Sequence, residues 1–426
     1  MVRLSVFFVI LKEVKDLARS CARQPGRYVK RPEDRARSVA SVRMTRKSRV
    51  CARVRAHLDS HLFPFQLVTT SVTIRAVFKA IKENSSIMKL DTQMWVQGLK
   101  GVPEAARKAE EQGFDAVWTA EAGNDGLLPI ALIAEHTKKI KMGTAVALAF
   151  PRSPMTTAYT AWDLAGLSQG RFILGLGTQV KGHIERRFAT KWEAPVPRLR
   201  EYIESLRAIF KCWAEGGKKL SYPGKFYNFS LMTPFFTPPR HDYSDIPIYI
   251  AGVNKHICRL AGELCEGLHA HPFNSQKFLS EFVIPNVESG LTKAGRARKD
   301  FSIAAVGFVI IGRNDQELEA ARNGVRQQIS FYASTRTYSG VLEAHGWGDV
   351  APRLNEKAAK GDWAGMAREI TDEMLEVYAV SGNFDNIVER VKARYDGLLD
   401  RFGFYIPYRA DISDEQWRHW TKQFNG

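Results

Sequence analysis

The chain has 426 residues, 45% of them hydrophobic and 25% charged, with 62 Lys and Arg against 45 Asp and Glu for a net charge of +17. This composition is typical of a globular protein, so it excludes wholesale disorder, a collagen-like fibre and a disulfide scaffold. The length favours two or three domains, but a parallel barrel exceeds the usual domain size as a single unit, so the domain count stays open here.

Most of the positive charge lies at the start of the chain. Residues 1–87 hold 19 basic residues against 6 acidic ones, a surplus of 13 out of 17. Arg-rich segments of this kind bind nucleic acid, act as transit peptides, or are solvated and unfolded. We favour a disordered extension or a misassigned start, with no nucleic-acid partner, because blocks of like charge are usually unfolded. The folded body then spans 88–426, and Met88 is a plausible first residue.

The cysteines and the apolar runs bear on the compartment. The chain has five cysteines: Cys21, Cys51, Cys212, Cys258 and Cys265. They form no CxxC pair and no metal-like cluster, so we expect reduced thiols in a cytoplasmic protein without a bound metal. No apolar run reaches the roughly 18 residues of a transmembrane helix, so we expect no membrane span.

Strand-like runs alternate with helix-like runs after residue 88. The predicted strands are 89–96, 114–118, 140–148, 171–176, 247–251, 267–271, 301–311 and 402–407. Helix signals lie between them. Pro103 stands in a first turn with Gly113 past the end, Asp125 precedes the second helix, and Ser153 opens a third that stops at Gly170.

The later helices follow the same rules. Residues 197–213 carry apolar side chains at helical spacing, which predicts a helix lying flat on a sheet. A hairpin is expected at 222–225, Asn254 is expected to cap the next helix, and Asn383 to open the last one. Eight strand–helix units favour a parallel α/β fold, a closed (β/α)8 TIM barrel with insertions, over an open sheet. Functional residues are then expected in the loops after the strands' C-terminal ends.

Two glycine-bearing turns follow neighbouring predicted strands. Gly175 and Gly177 close the fourth strand before Thr178 and Gln179, and Gly252 follows the fifth strand just before Asn254. Free N–H groups at such turns and at helix N-termini bind phosphate. Each signal is weak alone, since a turn with positive φ or an ordinary N-cap explains it. Two on consecutive strands favour a phosphorylated cofactor.

Other candidates lie at the same ends of the strands. Glu121 ends the second strand, where a carboxylate acts as a general acid, binds a ring substituent or holds a loop. Small residues end the third strand, which would let a flat ring lie against the backbone. Met94, Trp95 and Phe150 are candidates for a substrate wall, although most such aromatics are core.

The order and spacing of four segments resemble one known family. These segments are EEQGFDAVWTAE, KMGTAVALAFPRSPMTTAYTAWDLAGLSQGRFILGLGTQ, YPGKFYNF and IPIYIAGVNKHICRLAGELCEG. From residue 88 to about 410 the chain resembles the luciferase-like monooxygenase superfamily, in particular the branch that depends on the deazaflavin coenzyme F420. The resemblance covers none of residues 1–87.

The resemblance implies where the cofactor binds. It implies a non-prolyl cis peptide at Ala145-Val146, forming a bulge behind the central ring. It also implies that two turns hold the phosphate-bearing tail, and these turns are Gly177, Thr178 and Gln179, together with Gly252, Val253 and Asn254. They coincide with the two anion sites inferred from the residues.

The chain departs from the family at two positions. Flavin luciferases follow the strand-two Glu with a catalytic His, where this chain has Ala122. Sugar-phosphate dehydrogenases of the deazaflavin branch carry a Glu after the glycine loop, where Val180 stands here, and their strand-two His is matched by Glu121. The cofactor class is therefore better indicated than the substrate.

The sequence predicts an F420-dependent oxidoreductase that exchanges a hydride with an unidentified small molecule, with Glu121 as the candidate acid or base. One alternative is an FMN-dependent monooxygenase fed by a separate reductase. Another is a cofactor-binding protein without catalysis. A homodimer is compatible with this kind of barrel, but the sequence does not decide the oligomeric state.

Overall fold

The computed structural model describes residues 88–94, 98–406 and 412–425. The predictions for residues 1–87 and for Trp95 lie outside the described residues. Within the described ranges, no helix is both long and apolar enough to cross a membrane.

Twelve strands are found in the described residues. They are β1 (Lys89–Gln93), β2 (Ala116–Thr119), β3 (Lys141–Thr144), β4 (Ala147–Leu148), β5 (Phe172–Gly177), β6 (Tyr222–Pro223), β7 (Asn228–Phe229), β8 (Ile248–Gly252), β9 (Gly267–Ala270), β10 (Ser302–Ile311), β11 (Ala379–Gly382) and β12 (Arg401–Tyr405). Eight of them pair in parallel in the order β1-β2-β3-β5-β8-β9-β10-β12, and β12 pairs back to β1. The sheet is therefore a closed barrel, and the predicted TIM-barrel fold is confirmed.

Helices connect the strands and cover the outside of the barrel. They are α1 (Val102–Glu111), α2 (Leu128–His136), α3 (Pro154–Leu167), α4 (Lys181–Arg186), α5 (Pro195–Ala214), α6 (Lys255–Leu264), α7 (Gln276–Phe278), α8 (Ile284–Lys293), α9 (Asp315–Ala333), α10 (Ser339–Glu343), α11 (Val350–Ala359), α12 (Trp363–Arg368), α13 (Asp372–Tyr378), α14 (Ile387–Tyr395) and α15 (Asp414–Asn425). A π-helical turn, Leu279–Val283, joins α7 to α8.

The local signals act largely as expected. The Ser153 hydroxyl accepts the N–H of Met155 at the start of α3, and Gly113 has φ 85° beyond the end of α1. The hairpin forms as antiparallel β6 and β7. Asn383 accepts the N–H of Asn386 through its side chain, but the helix itself begins four residues later, at Ile387.

The segment between β10 and β12 holds elements that the sequence pattern did not predict. Helices α9 to α13 and strand β11 fill it. Phe308 pairs with Tyr405 on one side and with Ala379 on the other, so β10 continues above the barrel and β11 pairs with its upper half. We call this segment between β10 and β12 the excursion, and it extends the barrel on one side of the C-terminal rim.

The barrel interior is closed below by a buried polar network. The Arg401 guanidinium donates to both carboxylate oxygens of Asp91, at 2.8 and 2.7 Å, and also to Asp115 at 2.5 Å. The Trp118 indole N–H donates to Asp91 at 2.8 Å. A buried charge is stable only when it is paired and hydrogen-bonded, and these contacts meet that requirement. The network fills the N-terminal end of the barrel, so ligands must enter from the C-terminal rim.

Candidate active site

A backbone bulge interrupts the third strand of the barrel at its C-terminal end. The Ala145-Val146 peptide is cis, as the resemblance implies, and it separates β3 from β4. The Ala145 N–H donates to the Thr119 carbonyl at 2.6 Å, and the Val146 carbonyl accepts the Glu121 N–H at 3.1 Å. Ala145 and Val146 are half-buried, so the bulge offers a flat backbone surface at the mouth of the barrel.

Two glycines of β5 lie directly behind this bulge. A Cβ on Gly175 would stand 1.6 Å from the Thr144 carbonyl oxygen, and one on Gly177 would stand 2.5 Å from Cγ2 of Val146. Neither glycine has a positive φ. Their missing side chains are therefore explained by the close approach of the bulge. The alternative of a turn with positive φ is therefore wrong for these two glycines, while their part in cofactor binding stays a prediction.

A clamp of three charged side chains holds the loop after β2 against the bulge. Glu121 Oε2 accepts the Leu148 N–H at 2.7 Å and an N–H of Arg152 at 2.7 Å. The other end of the Arg152 guanidinium donates to Asp125 at 2.6 Å. The Glu121 side chain is only 8% exposed. Of the three roles predicted for Glu121, this geometry favours the one that holds a loop.

Asp125 anchors the far end of this clamp to a helix. Its Oδ1 accepts the N–H groups of Leu127 and Leu128 at the start of α2. Burial opposes its ionisation, but the N–H groups of Leu128 and Leu127 and the Arg152 charge hold the pKa of Asp125 below its usual range. The carboxylate form is therefore maintained at neutral pH.

The two predicted anion turns lie side by side. Strands β5 and β8 pair in register from Leu174 with Ile248 to Leu176 with Ile250, so the residues that follow Gly177 and Gly252 are neighbours on the same rim. The other edge of β5 pairs with β4, just beyond the bulge. The bulge and both turns thus occupy three consecutive positions around the barrel.

The start of α6 has N–H groups suited to an anion. Asn254 occupies the N-cap position, but its side chain makes no capping hydrogen bond, contrary to expectation. The N–H groups of Lys255 and His256 lie in the first turn, where no intrahelical acceptor exists. Gly252 is explained by packing, since its Cβ would stand 2.1 Å from Ile257. Gln179 has a positive φ of 59°, which marks the neighbouring turn as a tight one. These features fit a phosphate group.

An aromatic wall stands across the mouth from the bulge. In the strand order β10 is four positions from β3, which is directly opposite in an eight-stranded barrel. The wall consists of His271, Phe308, Tyr332, Tyr338 and Tyr405, whose rings contact one another at centroid distances of 4.2 to 6.4 Å. The hydroxyls of Tyr332 and Tyr405 are 3.1 Å apart. A planar group against the bulge would therefore face this wall.

Two histidines of β9 and its end lie inside the barrel. The ring of His269 contacts Trp118 edge-on at 4.7 Å, and its buried Nε2 lies beside the Thr144 carbonyl without a hydrogen-bond partner among the described residues. Burial, together with the Arg401 charge, lowers the pKa of His269 to about 3. Burial also lowers the pKa of His271 to about 3. Both imidazoles are neutral at physiological pH.

The three residues predicted for a substrate wall differ in their surroundings. Met94 is half-buried beside the mouth strand β1, and Trp95 lies outside the described residues. Phe150 is 2% exposed and packs against Trp192 and under the Arg198 guanidinium, at 5.8 and 4.5 Å. The ring is thus buried under these two side chains, and its part in a substrate pocket stays a prediction.

Sequence reasoning missed the aromatic wall. Tyr332 and Tyr338 belong to the excursion after β10, and their distance along the chain from His271 gave no signal. The alternation of His269 and His271 on one strand was the one available hint. Among the described residues, no three His, Cys, Asp or Glu side chains come together as a metal site.

Comparison with known proteins places these features in context. Residues 80–401 match the sequence profile of the luciferase-like monooxygenase family. A Mycobacterium tuberculosis protein of uncharacterised function is 43% identical over 314 residues, which cover 74% of this chain and 92% of that protein. A 5,10-methylenetetrahydromethanopterin reductase from Archaeoglobus fulgidus is 32% identical, over 66% of this chain and 82% of the reductase.

The fold is also similar to solved structures. One is a coenzyme F420-dependent tetrahydromethanopterin reductase from Methanopyrus kandleri, which superposes with a TM-score of 0.64 at 21% identity. The superposition covers 79% of this chain and 97% of that chain. At this identity the similarity concerns the fold.

Proposed function

Because the chain belongs to the luciferase-like monooxygenase family and is therefore an oxidoreductase, we propose that it is F420-dependent and exchanges a hydride with a small organic substrate. One observation carries the proposal: the cis bulge at Ala145-Val146 and the two turns after β5 and β8 occupy consecutive positions on one rim. This arrangement fits a flat ring with a phosphorylated tail.

The chain's own residues would bind and orient the two partners. Ala145 and Val146 would support the ring, while Thr178, Gln179 and the first turn of α6 would hold the phosphate. When bound, the deazaflavin supplies a central ring that accepts or donates a hydride. Glu121 would keep the bulge in place through its contacts with Leu148 and Arg152, and not act as a proton donor.

The relatives favour F420 over the FMN alternative. The Archaeoglobus reductase and an oxidoreductase from Mycobacterium tuberculosis that is described as putatively coenzyme F420-dependent, 28% identical over 70% of this chain, both point to the deazaflavin. Ala122 stands where flavin luciferases carry a catalytic His, which disfavours luciferase-type oxygenation. FMN would present its phosphate to the same turns, so binding must decide.

The test is an equilibrium titration of the full chain with F420 and, separately, with FMN, followed by fluorescence. We expect micromolar binding of F420 and much weaker binding of FMN. Micromolar binding of FMN without binding of F420 would overturn the cofactor assignment and leave the monooxygenase alternative.

Variants locate the bound phosphate. Val253→Asp adds a negative charge at the turn after β8, and we expect it to weaken F420 binding at least tenfold by repulsion. Leu231→Asp makes the same charge change away from the turns. Leu231 is 76% exposed and lies in the connection between α5 and β8. This variant is the matched control, and F420 binding should not change.

A further inference from the structure

We propose that His271 is a hydrogen-bond donor to the substrate, and that the substrate carries an uncharged acceptor, a carbonyl oxygen or an imine nitrogen, at its reacting carbon. This inference deepens the proposed function and rests on it, because it places the substrate between the cofactor's ring at the bulge and the aromatic wall.

The position of His271 follows from strand register. Ala270 pairs with Gly252 on one side and with Ala305 on the other, so His271 extends the rim beside the turn after β8. Side chains alternate along a strand, and the ring of His269 contacts Trp118 inside the barrel. His271, two residues further, therefore lies on the same inner side, one layer nearer the mouth.

The tautomer of His271 is fixed by the backbone. The Phe273 N–H donates to Nδ1 of His271 at 3.1 Å. Nδ1 must therefore carry the lone pair, so the proton of the neutral ring is on Nε2. Nε2 makes no hydrogen bond to any residue that the structure describes, and the residue is half-buried, so this N–H is left for a ligand.

The aromatic wall holds the imidazole in one orientation. The Tyr332 ring packs edge-on against it at 4.6 Å, and the Tyr338 ring packs at 4.2 Å with a tilt of 36°. Tyr332 is itself held by the hydroxyl of Tyr405. A donor that is already oriented loses little freedom on binding, which strengthens its single hydrogen bond.

The chemistry of the wall selects the acceptor. The two rings that contact His271 carry no charge, so they would not offset the desolvation of a carboxylate or an ammonium group placed against them, and they favour a neutral acceptor. Loss of the Nε2 proton would leave an imidazolate, so the ring does not supply the proton that accompanies the hydride, and that proton would be exchanged with water at the half-buried rim. The ring can polarise a carbon–heteroatom double bond, as a neutral imidazole does in other enzymes.

The test uses two probes of the same shape that differ in one acceptor atom. The full chain labelled with 15N-histidine is titrated with cyclohexanone and, separately, with methylenecyclohexane, with and without F420. We expect cyclohexanone to shift the His271 Nε2 resonance saturably and methylenecyclohexane to leave it unchanged. Equal shifts with both probes, or no shift with either, would overturn the proposal.

Two amide variants separate a structural role from a substrate contact. In His271→Asn the side-chain amide lies near the position of Nδ1. Its oxygen can still accept the Phe273 N–H, but no N–H group reaches the position of Nε2. His271→Gln places its N–H near Nε2. We expect Gln to keep cyclohexanone binding within about twofold and Asn to weaken it about five- to tenfold, the effect of one hydrogen bond. Equal binding by the two variants, or the reverse order, would contradict the proposal.

The experiment distinguishes failure of the substrate inference from failure of the proposed function. If F420 binds and the probes do not shift His271, the substrate inference is wrong and the proposed function stands. If F420 does not bind, the proposed function fails, and the titration without cofactor still reports on the donor. His345→Asn, at a histidine whose Nε2 is already bonded to Ser275 at 2.7 Å, is the matched control and should leave cyclohexanone binding unchanged.

Discussion

Two missing Cβ atoms in β5 make room for the bulge. At Gly177 the neighbouring atom is the end of a side chain, Cγ2 of Val146, whereas at Gly175 it is a backbone oxygen. A side chain can move by tenths of an ångström, but a carbonyl in a paired strand cannot. Gly177 is therefore the position where the bulge can be perturbed without loss of the fold.

We predict that Gly177→Ala destabilises the protein by about 1–3 kcal/mol, the usual range for an overpacked core, and weakens F420 binding because Val146 is displaced. Adding Val146→Ala should restore part of the stability, since it removes the clashing methyl. Gly123→Ala meets no atom within 4 Å and should change the free energy of unfolding by less than about 0.5 kcal/mol. Urea unfolding of the four proteins tests this, and no recovery in the double variant would contradict it.

The glycines also show what a sequence can and cannot say about a residue. Glycine at 175 and 177 permits a close approach to the backbone, and in the structure Thr144 and Val146 make that approach. The sequence does not tell whether a ligand or another strand fills the space, because the answer lies in Thr144 and Val146, some thirty residues away. The same limit applies to Phe150, whose covering partners Trp192 and Arg198 are distant in sequence.

At the scale of elements, the clamp of Glu121, Arg152 and Asp125 ties the loop after β2 to the loop after β4, beside the bulge. Arg152→Gln leaves the nearly buried Glu121 carboxylate without its cation, so we expect a loss of about 3 kcal/mol in stability together with weaker F420 binding. Lys191→Gln breaks an exposed pair with Glu193, and we expect it to leave the unfolding temperature and F420 binding nearly unchanged because water screens this pair. Thermal unfolding and F420 titration of both variants provide the comparison.

Glu121→Gln distinguishes a role of Glu121 in holding the loop after β2 from a role in proton transfer. The amide oxygen can still accept the Leu148 N–H, so we expect a loss of only about 1–2 kcal/mol in stability and a rise in the F420 dissociation constant. With a substrate in hand, kcat at saturating F420 should fall by less than tenfold. A fall of kcat by a hundredfold or more, with F420 binding and stability unchanged, would restore Glu121 as the acid or base.

Elements with strong local signals were predictable, and those defined by distant packing were not. The alternation of strands and helices, the helix signals at Ser153 and Gly113 and the hairpin after α5 follow from short stretches of sequence. The cis bond came only from the resemblance, since small residues at 143–149 are compatible with a regular strand. The excursion that carries Tyr332 and Tyr338 gave no repeating pattern, because β11 is short and is held by the upper half of β10.

At the scale of the whole molecule, the barrel holds two neutral histidines in its interior. The free energy of unfolding of the protein therefore depends on pH. A histidine has a pKa near 6.5 in the unfolded chain, while the pKa of His269 and of His271 is about 3 in the folded barrel. Between these values the unfolded state binds one more proton per histidine. Stability is therefore full above about pH 6.5 and is lost as the pH falls towards 3.

We predict that each of these histidines contributes about 1.4 kcal/mol per pH unit to the slope of the unfolding free energy between about pH 4 and 6. His269→Phe removes one titrating group, so the slope should fall by that amount whatever the variant's stability at pH 7. Tyr249→Phe changes a neighbouring interior ring without removing a histidine, and it should keep the slope of the unaltered protein. Urea unfolding at half-unit pH steps measures all three slopes. An unchanged slope in His269→Phe would mean that the ring is protonated inside the folded barrel, which its burial argues against.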